Sequence, residues 1–423
     1  MTTAGRLDPA DHPEHGSAAA PGLTPVDTHL AEVLAALRPV PPVWLPLADT
    51  DGGVLAADVT ASTPLPSFDN SAMDGYAVRA DDLAGATEEA PVTLPVRGEI
   101  AAGDTGSYRV EPGSCLRIMT GALRPAGADA VVPVELTDGG ADVAAFRRAV
   151  TAGNALRHRG DDVPEGAVLL TAGTLVGAVE LALLAASGQG SVLVRPRPRI
   201  AVISTGNELA EPGTPLVPGR IWESNSYMLA AAARQAGAVT QRHRLPDDPA
   251  TVLSTLERLL PDADLLITSG GVSMGGEHDV VKAALSKLGT VTFRKVAMQP
   301  GMPQGFGVLG PDQTPIFTLP GNPVSAYVSF LLFVRPALDA LKDLFPQRHR
   351  VVTAALTAAV RSPQGKRSYL RGVLDPAEAT VVPLTGQSSH QLGALAQANG
   401  LIIVPEPVTR LEEGQAVDVM CLP

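Results

Sequence analysis

Hydrophobic positions change their period several times along the chain. Residues 1 to about 24 mix Pro, His, Gly, Ala and Asp with no apolar period, which predicts a disordered tail. Leu30, Val33, Leu34 and Leu37 then fall at i, i+3, i+4 and i+7, the stripe of an amphipathic helix, with Asp27 or Thr28 as its cap and Pro39 as its stop. From about 43 to 195, short β-type runs stand between Gly and Pro clusters: Gly75–Val78, Cys115–Met119, Ala130–Val134 and Ala167–Leu170. This stretch predicts β structure in two lobes with one helix around Val179–Ser187. The alternating prolines of Arg195-Pro-Arg-Pro-Arg199 read as an extended linker.

Beyond the linker, apolar strand-like runs alternate with helical patterns. RIAVIS (199–204), VTQRHRL (239–245), DLLITS (264–269), TVTFRKV (290–296) and PIFTL (315–319) are the strands. Helices are expected near 225–236 and 249–260, along Val281, Ala284, Leu285 and Leu288, and from Pro323 onward with a kink at Pro336. Such alternation predicts an α/β domain over 196–346 with a mainly parallel sheet. After 350 the runs VVTAAL, YLRGVL, TVVPLT, LIIVPEP and AVDVMCL predict a small terminal β domain.

Composition narrows the function classes. The chain has 423 residues and a net charge of −12, a balance poorly suited to non-specific binding of nucleic acid or of a membrane surface. Only 4% of residues are aromatic, too few for a row of base-stacking platforms. Two cysteines, Cys115 and Cys421, make no disulfide framework and no CxxC, which fits a reducing compartment. With no apolar leader in the opening residues and no run of about 18 apolar residues, a cytoplasmic protein is expected.

Candidate chemistry lies in the loops that follow the α/β strands, where open sheets of this class place ligands. Three carry glycine and polar groups: Thr205-Gly-Asn-Glu-Leu209, Ser269-Gly-Gly-Val-Ser-Met-Gly-Gly-Glu-His-Asp279 and Pro320-Gly-Asn-Pro-Val-Ser325. Glycine permits close backbone approach, and free N–H groups at the following helix starts attract anions. Converging at one sheet edge, the three loops predict a pocket for a phosphorylated or otherwise anionic ligand. Gly271-Val-Ser-Met-Gly275 also fits the G-x-S-x-G pattern of a hydrolase nucleophile, but a nine-residue loop is not the sharp turn such a serine needs. Asp279 and Asn322-Pro323 stand where helix caps belong, Glu223 precedes another helix start, and Glu180 is a carboxylate inside the apolar run VGAVELALLAAS.

These segments together resemble the MoeA family, the molybdopterin molybdenumtransferases of molybdenum-cofactor synthesis. The resemblance rests on FDNSAMDGYAVR (68–79), RIMTGA (117–122), RGDD (159–162), STGNEL (204–209), SGGVS (269–273), QPGMP (299–303) and LPGNPVS (319–325), in family order. It implies a homodimer whose subunit has a linker-like domain (25–63 and 153–195), a β lobe inserted in it (64–152), the α/β domain and a C-terminal β-barrel (347–423). The active cleft would lie between the α/β domain of one subunit and the β lobe of the other. The substrates would be adenylylated molybdopterin and molybdate, with Mg²⁺ as the divalent cation. The molybdopterin adenylyltransferase and downstream cofactor-handling proteins would be its protein partners.

By position, Asp74, Glu180, Glu223, Asp279 and Lys295 match functional residues of the family, and Thr120 and Asp162 match further polar site positions. Thr205, Gly206, Asn207, Ser269, Gly270, Gly271, Ser273, Pro320, Gly321, Asn322 and Pro323 match the pterin-nucleotide pocket. Gln299, Pro303, Ser325, Arg371 and one of Ser388 and Ser389 match molybdate-holding positions. Two departures stand out. Many relatives read K-P-G-K-P where this chain has Gln299-Pro-Gly-Met302-Pro, and Asn207 replaces a common Asp. The lost lysines predict weaker oxyanion capture with more of the load on Arg371, and they leave a non-catalytic scaffold as the alternative.

Overall fold

Strand Arg199–Thr205 (β1) is buried at every position but its first, because it has strands on both sides and helices on both faces. The computed structural model describes residues 19–271, 280–346 and 349–423. Beside β1 lie Val239–Leu245 (β2) and Leu265–Ser269 (β3), and the sheet is completed beyond β3 by Val291–Lys295 (β4), Pro303–Leu309 (β5) and Thr314–Leu319 (β6). The six-stranded order is β2-β1-β3-β6-β5-β4. Strands β2, β1, β3 and β6 run parallel, while β5 and β4 pair antiparallel. The sheet is thus mainly parallel, and β5 is an addition: two glycines in PQGFGVL hid its apolar period.

Successive side chains of a strand point to opposite faces, and the two faces carry separate cores. Val202, Ile267 and Phe317 pack with Leu229, Ala233, Phe333 and Leu338 on one side. Ala201, Ile203 and Leu266 pack with Val252, Leu256, Val281 and Leu285 on the other. The helical stretch Pro323–Leu341 is long and apolar enough to cross a membrane, but most of it is buried in the first of these cores. Its irregularity is a π turn over Phe330–Val334, just before Pro336. Proline lacks an N–H to return to the preceding turn, so the ladder is disturbed upstream of the proline rather than at it.

The chain divides into two compact units, residues 1–42 with 195–423 and residues 43–194. Residues 25–42, expected with the linker-like segment, belong to the first. Helix Val26–Ala35 buries Val26 and Val33 in the same core as Phe333 and Leu338, because its apolar stripe finds its cover there. Asp27 sits in the first turn, bonded to Arg367 rather than capping. Part of the expected tail is also tied down: the Thr24 N–H donates to the Lys295 carbonyl at 2.8 Å, and the Ala297 N–H to the Thr24 carbonyl at 2.7 Å. Residues 1–18 lie outside the described residues.

In the same unit a five-stranded barrel closes because Arg367–Asp375 pairs with both Thr380–Pro383 and Gly400–Val404. Val351–Leu356 and Ala416–Cys421 complete it around Leu356, Leu370, Val381, Ile402 and Val419. Met298–Gln299 adds a short parallel pairing to Arg367–Ser368 and ties the sequence after β4 to the barrel. The 43–194 unit holds a five-stranded sheet, in which Gly75–Val78 lies between Ala130–Pro133 and Cys115–Ile118. A separate smaller core is formed by Leu55, Val176, Leu184, Val192 and Val194.

His29 is the titratable group buried where the first helix meets the core, edge-on to Phe333. Burial, helped by Arg294 and opposed by Glu32, holds its imidazole at about 4, below the ordinary 6.5. Between those values the folded chain binds fewer protons at His29 than the unfolded chain does. Its contribution is therefore intact above pH 6.5 and drains away as pH falls toward 4. His29→Phe is expected to flatten the pH dependence of the unfolding free energy over that window, by about 3 kcal/mol at its acid end. Parallel profiles for the two proteins would show that His29 is not held neutral.

Candidate active site

The loops after β1, β3 and β6 meet at the carboxyl edge of the sheet and are held by one another's polar groups. The Asn225 side-chain amide donates to the Ser269 hydroxyl at 2.8 Å and to the Gly321 carbonyl at 2.6 Å. Ser269 Oγ in turn donates to the Pro320 carbonyl at 3.3 Å. Gly270, at φ +98°, brings its backbone so close to Thr205 that a Cβ would stand 2.7 Å from the Thr205 carbonyl oxygen. No other residue fits there. Thr205 Oγ1 is buried without a partner among the described residues, and Asn207 exchanges hydrogen bonds with Asp247 through its N–H and its side-chain oxygen. Thr205, Gly206, Asn207, Ser269, Gly270, Gly271, Pro320, Gly321, Asn322 and Pro323 are therefore brought to one edge. Ser273 and Asp279 lie outside the described residues, as does most of the G-x-S-x-G run.

Next to this edge opens a cavity of about 660 Å³. Met298 to Pro303 form one wall, Pro320, Gly321, Asn322 and Ser325 a second, and Gln387, Ser388 and Ser389 a third. The second and third walls are stitched together. Asn322 occupies the N-cap position with Pro323 behind it, yet its amide donates to Ser389 Oγ at 2.9 Å instead of capping, and the Val324 N–H donates to the Ser389 carbonyl. Gln299, Pro303, Ser325, Ser388 and Ser389 thus share one cavity. Among the described residues its lining includes no carboxylate and a single cationic side chain, Lys366.

Lys366 is the residue that the sequence reading missed. It precedes the strand Arg367–Asp375 in Gly365-Lys-Arg-Ser-Tyr-Leu-Arg371, where three cations compete for notice. Arg371 is elsewhere: fully buried, it does not line the cavity. Its Nη2 donates to the Gly386 carbonyl and, at 3.0 Å, to the Ser388 carbonyl, holding the third wall from behind. Gln387 completes the brace, accepting from the Arg371 N–H at 2.9 Å and donating to the Arg371 carbonyl at 2.9 Å. Burial lowers the pKa of the guanidinium, and its Nε and Nη1 have no hydrogen-bond partner among the described residues.

Glu223 is buried, with both oxygens occupied: Oε1 accepts from the Ser204 hydroxyl and the Ser226 N–H, and Oε2 from the Ser226 hydroxyl. These bonds join the end of β1 to the start of helix Asn225–Gln235. Lys295 is exposed at the end of β4, paired in register with Pro303, and is not among the cavity residues. The remaining candidates fall in the 43–194 unit. Asp74 accepts the Thr120 hydroxyl at 2.6 Å and the Thr120 N–H at 2.7 Å. These bonds, with Arg117 nearby, hold its carboxyl below the usual carboxylate range. Glu180 accepts from the Gly177 N–H at the start of its own helix, and Asp162 is exposed in a turn. Among the described residues no three carboxylate, imidazole or thiol groups cluster closely enough to hold a metal. Magnesium takes one or two carboxylates together with substrate phosphate oxygens, and of the candidates Asp279 lies outside the described residues while Glu223 spends both oxygens on Ser204 and Ser226.

Three family descriptions match the chain in order. The MoeA N-terminal region (domain I and II) covers residues 24–188, a probable molybdopterin binding domain 201–340, and the MoeA C-terminal region (domain IV) 353–422. The central α/β sheet is thus similar to molybdopterin-binding domains. Molybdopterin molybdenumtransferase 2 of Mycobacterium tuberculosis is 50% identical over 404 residues, covering 93% of this chain and 98% of that protein. Molybdopterin molybdenumtransferase 1 of the same organism is 39% identical over 421 residues, with 94% and 98% covered. A solved structure of the molybdopterin biosynthesis MoeA protein from Pyrococcus horikosii superposes with a TM-score of 0.74 at 31% identity, covering 94% of this chain and 99% of that one. The chain belongs to the MoeA family.

The brace behind the third wall has a consequence that stability can read. Arg371→Met leaves the Gly386 and Ser388 carbonyls without their donor, and the unfolding free energy is expected to drop by on the order of 2 kcal/mol, with a lower midpoint. A wild-type midpoint would show that both carbonyls find other donors.

Proposed function

We propose that the protein is a molybdopterin molybdenumtransferase and that the 660 Å³ cavity is where its oxyanion substrate enters. The observation that carries this reading is the cavity's chemistry. Among the described residues, Ser325, Ser388, Ser389, Asn322 and the cation Lys366 line a space with no carboxylate to repel an anion, while the Gln387 amide spends both its N–H groups on the Arg371 and Leu384 carbonyls. On a chain of net charge −12, such a pocket is selective for a small anion that fits inside it. Lys366 supplies the charge, and the neutral donors fix orientation.

The adjoining loops at 205–207, 269–271 and 320–323 suit the pterin nucleotide. Their glycines let backbone N–H groups approach phosphate oxygens, and Asn225 locks two of the loops in register. In the reaction, water cleaves the phosphoanhydride of adenylylated molybdopterin, and AMP leaves. The two dithiolene sulfurs then bond to molybdenum, and one molybdate oxygen departs as water with the two thiol protons. This chain's residues hold the oxyanion beside the pterin and exclude competing anions. No step is assigned to a metal cofactor. The scaffold alternative predicts a pocket without turnover, and the relatives' shared name does not favour it.

We also read the enzyme as a cytoplasmic homodimer with the cleft shared between subunits, so that Asp74 of the 43–194 unit serves a partner's cavity. Helix Ala178–Ala186 supports an assembly: it is apolar at every position but Glu180, yet only Leu184 is buried, and Val179 is 76% exposed. An apolar surface of that kind is suited to cover by another chain.

In a single-turnover assay with wild-type enzyme, AMP release should depend on molybdate. Lys366→Met should raise the half-saturating molybdate concentration by roughly 10- to 100-fold, the effect of one charge-assisted hydrogen bond. Arg371→Met should raise it less, while Gln299→Lys with Met302→Lys should lower it. AMP release indifferent to molybdate in the wild type would remove the functional reading, and an unchanged Lys366→Met would move the oxyanion elsewhere. For the shared cleft, Asp74→Ala and Lys366→Met subunits mixed as verified heterodimers should recover activity, since one of the two sites then carries neither change. Heterodimers no better than their parents would restrict each site to a single subunit.

A further inference from the structure

Gln304 and Ser329 touch the cavity's first wall only from inside the protein. Both are buried, at 2% and 0% exposure, and neither lines the cavity. The Gln304 side-chain amide spends both hydrogens there, donating to the Gly301 carbonyl at 2.6 Å and to Ser329 Oγ at 2.6 Å. Ser329 Oγ in turn donates to the Ser325 carbonyl at 2.8 Å. One buried chain of hydrogen bonds therefore ties the first wall, at Gly301, to the second, at Ser325.

The bond to Gly301 also sets the direction of a neighbouring donor. The Gly301 C=O and the Met302 N–H belong to one trans peptide, so they point in opposite directions. With the carbonyl drawn inward to Gln304, the Met302 N–H turns outward, and Met302 lines the cavity. The arrangement leaves no room for a side chain at 301. Gly301 has φ +99°, and a Cβ there would stand 2.9 Å from Ser329 Oγ and 3.0 Å from Met298 Cε.

Resting on the functional reading above, we propose that Gln304 and Ser329 are positioning residues that aim the Met302 N–H at the bound oxyanion. With Gln299 and Met302 the loop carries no side-chain charge at these two positions, and the main-chain N–H of Met302 is a donor it does offer. An N–H held by a buried brace needs no reorganisation when the anion arrives.

The test uses Gln304→Met, which keeps the length of the side chain and removes its donors, and Ser329→Ala, which leaves the Gln304–Gly301 bond in place. In full-length protein labelled with ¹⁵N-methionine, the Met302 amide signal is identified by its loss in Met302→Leu. Titration with molybdate should shift that signal in the wild type, and Gln304→Met should need about tenfold more molybdate for the same shift, with Ser329→Ala intermediate. In the AMP-release assay the half-saturating molybdate should rise in parallel, while the saturated rate and the half-saturating adenylylated substrate stay within twofold. Adding Met302→Lys to Gln304→Met should restore the molybdate response of AMP release. A Met302 signal that stays still while molybdate drives AMP release in the wild type would overturn the proposal and leave the functional reading standing. Losses shared equally by both substrates in either variant would likewise overturn it, reducing the pair to a structural role. If AMP release in the wild type ignores molybdate, the functional reading falls first, and the proposal with it.

Discussion

A loop that leaves the edge of a buried sheet carries carbonyls with no strand to receive hydrogen bonds from, and burying them unpaired costs about 1–3 kcal/mol each. Around this cavity the need is met largely by side-chain amides. Asn225 serves Gly321, Gln304 serves Gly301, and Gln387 serves Arg371 and Leu384. Each amide has two N–H groups and spends them on two partners. Satisfying the loops and fixing them against one another are therefore the same act. Asn322 extends the pattern by leaving its cap role for Ser389. The walls of the cavity come from an α/β sheet and a barrel, and these bonds give them one geometry.

Charge enters that frame sparingly. A buried guanidinium without a carboxylate is costly unless carbonyls surround it, and Arg371 has two of them. It spends its charge on the wall. Lys366, half-buried just before the strand Arg367–Asp375, lines the cavity. The two cations are five residues apart in sequence and differ in setting: Arg371 is fully buried behind the wall, and Lys366 is part of the cavity lining. Asp74 shows the same economy in the other unit, its carboxyl kept ionised by two bonds from a single threonine.

Much of this architecture was legible before any coordinates. The change from short β runs to alternating strands and helices placed the sheet, and continuous apolar runs such as RIAVIS marked strands covered on both faces. The three glycine loops could be assigned to one edge because a parallel sheet puts all its strand ends there. What escaped had physical reasons. Strand β5 was hidden by Gly305 and Gly307, which exist because Cβ atoms would strike Thr318 and the Thr290 carbonyl. Lys366 and Arg371 could not be told apart, since a strand's sidedness near its start depends on register with partners far away in sequence. Gln304 had no signal at all: a buried amide looks in sequence like a surface one.

A neutral first wall changes what the pocket is good at. Two lysines would stabilise free molybdate and the reacting complex alike, and uniform stabilisation lowers the concentration needed without speeding the chemical step. Where oxyanion is plentiful that gain is of no use, and strong ground-state binding then opposes transfer of the metal to the pterin. Donors fixed in place by Gln304 and Arg371 keep their directions throughout, whether the ligand is the free tetrahedral ion or the ion already bonded to sulfur. On the proposed reading the buried brace favours geometry over charge, and Lys366, the single cation lining the cavity among the described residues, would set how tightly the ion is first held.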